Sequence, residues 1–241
     1  MRLYGKRPIV ERLRVAPKTV KTLYLKQGVD NPEVVQAAKA ANLQFVAVPK
    51  PEFYKLAGEI HSQGAVAEVD DFLYTPLEEI LRKTDKRPSL FFLDRVTDPQ
   101  NLGSILRTTA CLGEFVIVIP KHESAEINET VLRVACGGEN FVPVALVTNL
   151  VRACEQAKKA GYWIAGAASS GEKLLHSADW PTPLGVVLGS EGSGIRPGLE
   201  KHLALTLSIP MPGAGLSYNV ATAAALIAYE ITRRRLAKEK F

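Results

Sequence analysis

Hydrophobic and polar positions follow two rhythms along the chain, and the rhythm changes near residue 81. Before that point, short apolar-periodic helices alternate with short strands, a pattern typical of a small α/β layer. The predicted helices are 7–15, 32–43 and 51–59, and the predicted strands are 19–25, 44–49 and 65–69. The polar stretch 81–89 breaks the rhythm, and Pro88 disfavours a helix at Arg87. We therefore predict an N-terminal domain over residues 1–76 and a linker over residues 77–88.

From residue 89 onwards, the predicted strands are more uniformly apolar than those before residue 81. Six near-continuous apolar runs occur at 90–93, 115–119, 142–147, 162–168, 184–189 and 203–210. Strands that are buried on both faces have this composition, which predicts a mainly parallel sheet covered by helices. Apolar-periodic segments lie between and after the strands, at 101–113, 127–138, 149–161 and 216–240. We predict a second α/β domain over residues 89–241.

Composition narrows the class of protein. The chain has 241 residues, of which 46% are hydrophobic and 23% charged, and no apolar run is long enough to cross a bilayer. The basic N-terminus lacks the apolar core of a secretory signal. The three cysteines form no C-x-x-C pair and the four histidines have no ligand spacing. We therefore expect no disulfide, no metal site, no membrane association and a reducing, cytoplasmic environment.

Positive charge is concentrated at the N-terminus. The net charge is +5 overall, but in the first 26 residues eight basic side chains face the single acid Glu11. They are Arg2, Lys6, Arg7, Arg12, Arg14, Lys18, Lys21 and Lys26. Such a patch is suited to the phosphates of a polyanion, without reading its sequence. The alternative, a solvated basic surface, stays open on this observation alone.

Three predicted strands end in unusual segments, and ligands of parallel α/β sheets bind beyond the carboxyl ends of strands. The first, 94–113, carries the charged Arg107 within an apolar-periodic helix. The second, 184–195, has the glycine order G-x-x-G-x-G rather than the dinucleotide-binding order G-x-G-x-x-G. The negative charge of Glu191 is also unfavourable for binding a pyrophosphate. In the third, 207–223, a Pro- and Gly-rich loop precedes a helix predicted to start near Ser217. We interpret Ser217 as its N-cap and Asn219, in its first turn, as a candidate ligand-binding residue.

Together these segments resemble the three motifs of the SpoU (TrmH) family, ribose 2'-O-methyltransferases of the SPOUT class. The matching residues are Asn101-x-Gly103-x-x-x-Arg107, Gly189-x-Glu191-Gly192-x-Gly194 and Pro210-Met211-x-Gly213-x-x-x-Ser217-x-Asn219. This chain departs from the family at Tyr218, where leucine is usual, and at Ala221-Thr222, where Ser-Val is usual. Residues 3–13 and 61–69 resemble the N-terminal domain of members that methylate a guanosine of large-subunit rRNA, a domain similar to ribosomal protein L30e.

The resemblance implies an L30e-like α/β domain, followed by a SPOUT α/β domain with a mainly parallel sheet and a C-terminal trefoil knot. It implies S-adenosyl-L-methionine as cofactor, RNA as substrate, and a homodimer in which the cofactor pocket and the arginine come from different chains. The implied site residues fall into three groups. They are Arg107, Asn101, Glu191, Ser217 and Asn219 for catalysis; Gly189, Ile209, Met211 and Tyr218 for the cofactor; and Arg2, Lys6, Arg7 and Arg12 for RNA.

The chemistry of methyl transfer suggests a role for Arg107. The 2'-oxygen develops negative charge as it attacks the methyl group, and this charge needs an electrostatic partner. A guanidinium holds its proton too tightly to act as a base at neutral pH. We therefore expect Arg107 to act as a charged clamp on the 2'-oxygen and the neighbouring phosphate.

Three other functions are compatible with parts of this pattern. A tRNA 2'-O-methyltransferase differs only in its substrate, and a non-catalytic RNA-binding protein of the same fold is disfavoured by the intact Asn101, Arg107, Glu191, Ser217 and Asn219. A nucleotide-dependent oxidoreductase is disfavoured by the glycine order.

Overall fold

The computed structural model describes residues 1–58, 62–85, 87–190, 192–214 and 216–238. Its N-terminal elements are β1 (Arg2–Tyr4), α1 (Lys6–Val15), β2 (Val20–Lys26), α2 (Pro32–Ala40), β3 (Phe45–Val48), α3 (Lys50–Ala57) and β4 (Ala65–Val69). They form a four-stranded sheet in the order β1-β4-β2-β3, in which only β2 and β3 pair in parallel. Leu23 and Leu25 of β2 are buried, whereas the alternate positions Tyr24 and Lys26 are partly exposed. This period-two burial explains why the strand was predictable.

A helix occupies part of the stretch that the sequence predicted as linker. It is α4 (Leu77–Arg82), and its residues Leu77 and Ile80 are buried against the second domain. Before it, the amide of Thr75 donates to the carbonyl oxygen of Val144. The connection between the two sheets is therefore packed rather than free over these residues.

The second sheet contains β5 (Ser89–Leu93), β6 (Phe115–Pro120), β7 (Val144–Val147), β8 (Trp163–Ala167), β9 (Lys173–Leu174), β10 (Leu184–Leu188) and β11 (Leu205–Ser208). Its order is β7-β6-β5-β10-β8-β11-β9, and each pair is parallel. The helices of this domain are α5 (Pro99–Leu112), α6 (Glu129–Ala135), α7 (Leu150–Lys159), α8 (Pro197–Glu200) and α9 (Val220–Lys238). The predicted α/β fold with a mainly parallel sheet is confirmed.

The C-terminal helix is tied to its own domain by arginine side chains. Arg234 lies over the ring of Trp180, 3.7 Å from its centroid, and donates to the carbonyl oxygens of residues 175, 176 and 178. Arg235 donates to the carbonyl oxygens of Leu112 and Gly113, at the C-terminus of α5, where positive charge is favourable. These contacts fix α9 beside α5. The trefoil knot stays a prediction.

Among the described helices, none combines the length and apolar composition that a bilayer crossing needs.

Candidate active site

The three motif segments meet beyond the carboxyl ends of neighbouring strands. The first follows β5, the second follows β10 beside it, and the third follows β11, with β8 between β10 and β11. A cavity of about 330 Å³ lies at these strand ends and is lined by residues of the second and third motifs. Ligand cavities range from about 300 to 1,000 Å³, so this one is large enough for a small cofactor.

The loop after β10 forms one wall of the cavity by folding tightly over Gly189. Ser190 and Gly194 exchange two backbone hydrogen bonds, and the hydroxyls of Ser190 and Ser193 lie 2.7 Å apart. A Cβ atom at Gly189 would overlap the carbonyl group of Gly194. Gly189 is therefore required by close backbone approach. Glu191, predicted as catalytic, lies outside the described residues.

An ion pair with a buried carboxylate and a partly exposed guanidinium joins the end of this loop to the neighbouring strand. Asp94, fully buried just after β5, accepts from the backbone amide of Arg196 at 2.8 Å and from its Nε at 2.6 Å. Arg95 reaches the same loop, donating to the carbonyl oxygen of Gly194 at 3.2 Å. The first and second motifs thus share one set of charged contacts, which sequence analysis missed.

The third motif supplies the opposite wall. Ile209, Met211, Ser217 and Tyr218 all line the cavity, so three of the four predicted cofactor residues and one predicted catalytic residue lie together with Gly189. The helix begins later than predicted, at Val220.

The predicted N-cap of that helix was wrong. Asn219 occupies the capping position, because its Oδ1 accepts from the backbone amides of Ala221 at 2.8 Å and Thr222 at 3.4 Å. Its Nδ2 donates to Oδ1 of Asn101 at 2.9 Å, which joins the third motif to the first. Asn219 thus uses both ends of its amide to fix two motifs, and Ser217 is left facing the cavity.

Arg107 lies on a different side of α5 from Asn101. Six residues of α-helix correspond to a rise of about 9 Å and a rotation that leaves the two side chains about 120° apart. Arg107 is exposed, its Nη1 lies 3.6 Å from Sγ of Cys136, and the described lining of the cavity does not include it. Within one chain, the structure therefore brings together the cofactor residues, Ser217, Asn219 and Asn101, but not Arg107.

The motif glycine Gly103 has a packing role. A Cβ atom there would come within 2.7 Å of Cβ of Val134 and 2.9 Å of the carbonyl oxygen of Val131, both on α6. Helices α5 and α6 therefore approach each other closely because residue 103 has no side chain.

Sequence analysis also missed part of the cavity wall. Ala168 and Ser169 follow β8 and line the cavity, as do Glu200 of α8 and Thr206 of β11. The first two were predictable, because the apolar run 162–168 is followed by Ser-Ser-Gly and its strand is parallel to its neighbours. Glu200 lines the cavity because of the tertiary position of α8, and no local sequence pattern predicts that position.

The four predicted RNA-binding residues differ in exposure. Arg7 is exposed, Lys6 is partly exposed, and the Arg2 side chain is 38% exposed while it pairs with Glu68. Arg12 does not fit the prediction, because its side chain is only 9% exposed and pairs with the fully buried Glu139 at 3.3 Å. Arg12 therefore belongs to the contact between the two domains.

Over the part of the chain that the structure describes, no cluster of three or more His, Cys, Asp or Glu side chains is arranged to hold a metal ion.

Comparison with known proteins bears on this geometry. A model of the SpoU rRNA methylase family matches residues 88–229. The chain belongs to the SpoU rRNA methylase family. A second model, described as RNA 2'-O ribose methyltransferase substrate binding, matches residues 2–75. The resemblance drawn from the three motifs is thereby confirmed.

Two curated relatives match along almost their whole length. The chain is 36% identical over 240 residues to the 23S rRNA (guanosine-2'-O-)-methyltransferase RlmB of Pseudomonas aeruginosa, covering 97% of this chain and 96% of that protein. It is 34% identical to the protein of the same name from Neisseria meningitidis, covering 99% and 97%.

Solved structures show the same fold. The SpoU methyltransferase AviRb from Streptomyces viridochromogenes, in complex with the cofactor AdoMet, superposes with a TM-score of 0.80 at 23% identity, covering 98% of this chain and 91% of that one. An AdoMet-bound rRNA methyltransferase from Sinorhizobium meliloti superposes with a TM-score of 0.79 at 24% identity, covering 98% and 87%.

Proposed function

We propose that this chain transfers the methyl group of S-adenosyl-L-methionine to a ribose 2'-hydroxyl of RNA, and that its target is a guanosine of 23S rRNA. Family membership supports the reaction, and the relatives named for this activity support the substrate, since they match at up to 36% identity over nearly the full chain.

The observation that carries the proposal is the meeting of the motif loops around one cavity. Gly189, Ile209, Met211 and Tyr218 are far apart in sequence yet line the same space of about 330 Å³. The Asn219–Asn101 hydrogen bond then joins that space to the helix that carries Arg107.

The cavity fits the proposed cofactor in its chemistry. Leu188, Leu207 and Ile209 offer an apolar surface for an adenine ring, and the backbone around Gly189 offers hydrogen-bonding groups without an intervening side chain. Ser169 and Glu200 add polar groups suited to ribose hydroxyls or an amino group. When bound, S-adenosylmethionine supplies an electrophilic methyl group on a sulfonium.

The residues of the chain orient the acceptor and stabilise its charge. Arg107 is proposed to hold the 2'-oxygen and the adjacent phosphate, because a permanent cation stabilises the negative charge that develops there. Asn101, Asn219 and Ser217 are proposed to contribute polar groups around the reacting atoms, and the same role is proposed for Glu191, which lies outside the described residues. Correct alignment of the two reactants accounts for much of the rate in such a reaction.

We further propose a cytoplasmic homodimer, in which Arg107 of one chain serves the cavity of the other. The exposed face of α9 supports self-association, since Leu226, Tyr229 and Leu236 are 38%, 60% and 50% exposed. Their spacing of three and seven residues places them on one stripe of the helix. The position of Arg107 outside the cavity of its own chain fits this arrangement, and three free cysteines fit a reducing compartment.

A complementation assay tests the shared site. A chain carrying Arg107→Ala and one with an obstructed cavity, Leu188→Trp, are each expected to be inactive. Denatured and refolded together, they are expected to recover about a quarter of wild-type activity, because half of the dimers are mixed and each mixed dimer has one intact site. Absence of recovery, with mixed dimers present, contradicts a site shared between chains.

Arg2, Lys6 and Arg7 are proposed to hold the RNA backbone at the N-terminal domain. Each replaced by Met is expected to weaken RNA binding and to reduce the slope of log affinity against log salt by about one per phosphate contact.

The function itself is tested with radiolabelled S-adenosylmethionine and separate pools of 23S rRNA and tRNA, followed by mapping of 2'-O-methyl groups. Label at a guanosine of 23S rRNA supports the proposal. Label in tRNA alone identifies the related tRNA enzyme, and cofactor binding without label on any RNA indicates a non-catalytic protein.

A further inference from the structure

The segment that packs against Arg107 also contacts the N-terminal domain. Residues 136–140, called here the 136–140 turn, follow α6 and lie between α1 of the first domain and α5 of the second. The turn includes a 3-10 helix at Gly138–Asn140, and its backbone is closed by hydrogen bonds from Asn140 to Gly137 and from Phe141 to Gly138. Four consecutive residues within it, 136–139, contact either α5 or α1.

On one side, the turn touches Arg107 twice. A Cβ atom at Gly138 would come within 3.0 Å of Cα of Arg107 and of the carbonyl oxygen of Leu106, so the turn packs directly on the helix backbone there. Sγ of Cys136 accepts a hydrogen bond from Nη1 of Arg107 at 3.6 Å. The turn therefore constrains both the backbone and the guanidinium of this residue.

On the other side, the same turn contacts α1. A Cβ atom at Gly137, whose φ is +95°, would come within 2.6 Å of Cβ of Glu11. Arg12 Nη2 pairs with Oε1 of Glu139 at 3.3 Å, with side-chain exposures of 9% and 0%. Glu139 Oε1 also accepts from Nδ2 of Asn140, so the ion pair is built into the turn.

A purely structural contact between domains is expected to be apolar or fully paired, because burying incompletely paired charge is costly. This one is neither. Nε of Arg12 and Oε2 of Glu139 are buried without a hydrogen-bond partner among the described atoms. Burial also raises the pKa of Glu139 above its ordinary value, against the effect of Arg12.

We infer that the 136–140 turn is a positioning device for Arg107, and that the N-terminal domain sets the position of the turn through the Arg12–Glu139 pair. The inference rests on the proposed role of Arg107. The RNA-binding domain then has a second task beyond holding substrate, since its docking fixes the arginine that acts on the 2'-oxygen. Arg12, Glu139 and Cys136 are positioning residues in this scheme.

The test compares full-length Arg12→Met, Glu139→Gln and Gly138→Ala with wild type. Each is expected to lower kcat by about ten- to a hundredfold, the range expected for a displacement near 1 Å. The KM for RNA and the Kd for S-adenosylmethionine are expected to stay within about threefold, because none of the three substituted residues contacts RNA or the cofactor in this scheme. Lys39→Met is the matched control, since Lys39 is exposed on α2 and its loss removes one positive charge from the same domain.

A double variant separates positioning from loss of stability. Arg12→Met combined with Glu139→Met leaves no unpaired charge at the contact, so it is expected to recover part of the kcat lost in Arg12→Met. The alkylation rate of Cys136, followed by peptide mass spectrometry, gives a readout independent of RNA. It is expected to rise severalfold in Arg12→Met as the turn loosens.

Two outcomes overturn the inference. If Arg12→Met weakens RNA binding and reduces its salt slope by about one, with kcat unchanged, Arg12 contacts phosphate as the sequence first suggested. If kcat falls only in proportion to the unfolded fraction, the pair is merely structural. Failure of the proposed function itself is recognised separately, because wild type then methylates no RNA or Arg107→Ala retains full activity.

Discussion

The substitution Gly189→Ala is expected to weaken cofactor binding without unfolding the domain. Gly189 has no left-handed φ, so alanine is sterically permitted by its own backbone. The added methyl group would instead overlap the carbonyl group of Gly194 and the amide nitrogen of Ile195. Restoring ordinary contact distances requires the loop to move by about 1 Å, away from the cavity wall that it forms.

The expected loss of cofactor affinity follows from the free-energy cost of overpacking, which is about 1–3 kcal/mol for one inserted methyl group. If this strain is relieved by the loop leaving its binding position, the apparent Kd for S-adenosylmethionine rises by roughly 5- to 150-fold. Isothermal titration calorimetry measures that change directly. Gly198→Ala is the matched control, because a Cβ atom there meets nothing within 4 Å and its φ is ordinary.

If Gly189→Ala binds S-adenosylmethionine within twofold of wild type and keeps its thermal midpoint, the close approach of the loop is not needed for the cofactor site. A loss of binding that Gly198→Ala shares equally is also contrary to the reasoning, since the control adds the same methyl group without a clash.

Three further predictions concern stability and reactivity. Hydrogen bonds from Arg233, with those from Arg234, lower the pKa of Glu230 to about 2. The ionised Glu230 therefore contributes fully to the free energy of unfolding above its ordinary pKa, and this contribution is lost as pH falls towards 2. Acid titration of the wild type should show a loss of at most about 3 kcal/mol, and this loss should be absent from Glu230→Gln. Burial raises the pKa of Cys154 to about 12. A thiol reagent at pH 8 should therefore label the exposed Cys111 in the native protein and Cys154 only after denaturation. Prompt labelling of Cys154 in the native protein would contradict its burial. Gly103→Ala should lower stability by about 1–3 kcal/mol, seen as a lower thermal midpoint, because the methyl group meets α6; an unchanged midpoint contradicts that contact.

The strands of the second domain were predictable because local composition decides them. Near-continuous apolar runs such as 115–119 are needed where both faces of a sheet are covered, and each predicted run overlaps an observed strand to within one or two residues at each end. Very short strands were not predictable. β1 has three residues and β9 has two, so neither provides the alternation that identifies a strand, and both depend on pairing with distant partners.

The site was predictable where one rule of topology applies. Parallel strands end at one edge of the sheet, and the family resemblance assigned Gly189, Ile209 and Met211 to the cofactor; the three residues line one cavity at that edge. Arg12 shows the limit of this reasoning. Its charge suggested a solvent-facing RNA contact, but its partner Glu139 is 127 residues away, and that distance in sequence hides both the burial and the ion pair.

The same limit explains the error at the third motif. Ser217 and Asn219 are both good N-caps by residue type, and a single sequence gives no means of choosing between them. The choice is made by Asn101 of a different helix, which accepts from the side chain of Asn219 and fixes its position.

The most direct test of the central claim is the single-turnover rate of methyl transfer to 23S rRNA by Arg107→Ala, at saturating RNA and S-adenosylmethionine. A clamp on the developing oxyanion predicts a rate at least about a hundredfold below wild type. The Kd for the cofactor should be unchanged, since Arg107 is proposed to contact the 2'-oxygen and the neighbouring phosphate of the RNA rather than the cofactor. A wild-type rate in this variant would contradict the proposed role of Arg107 and, with it, the mechanism.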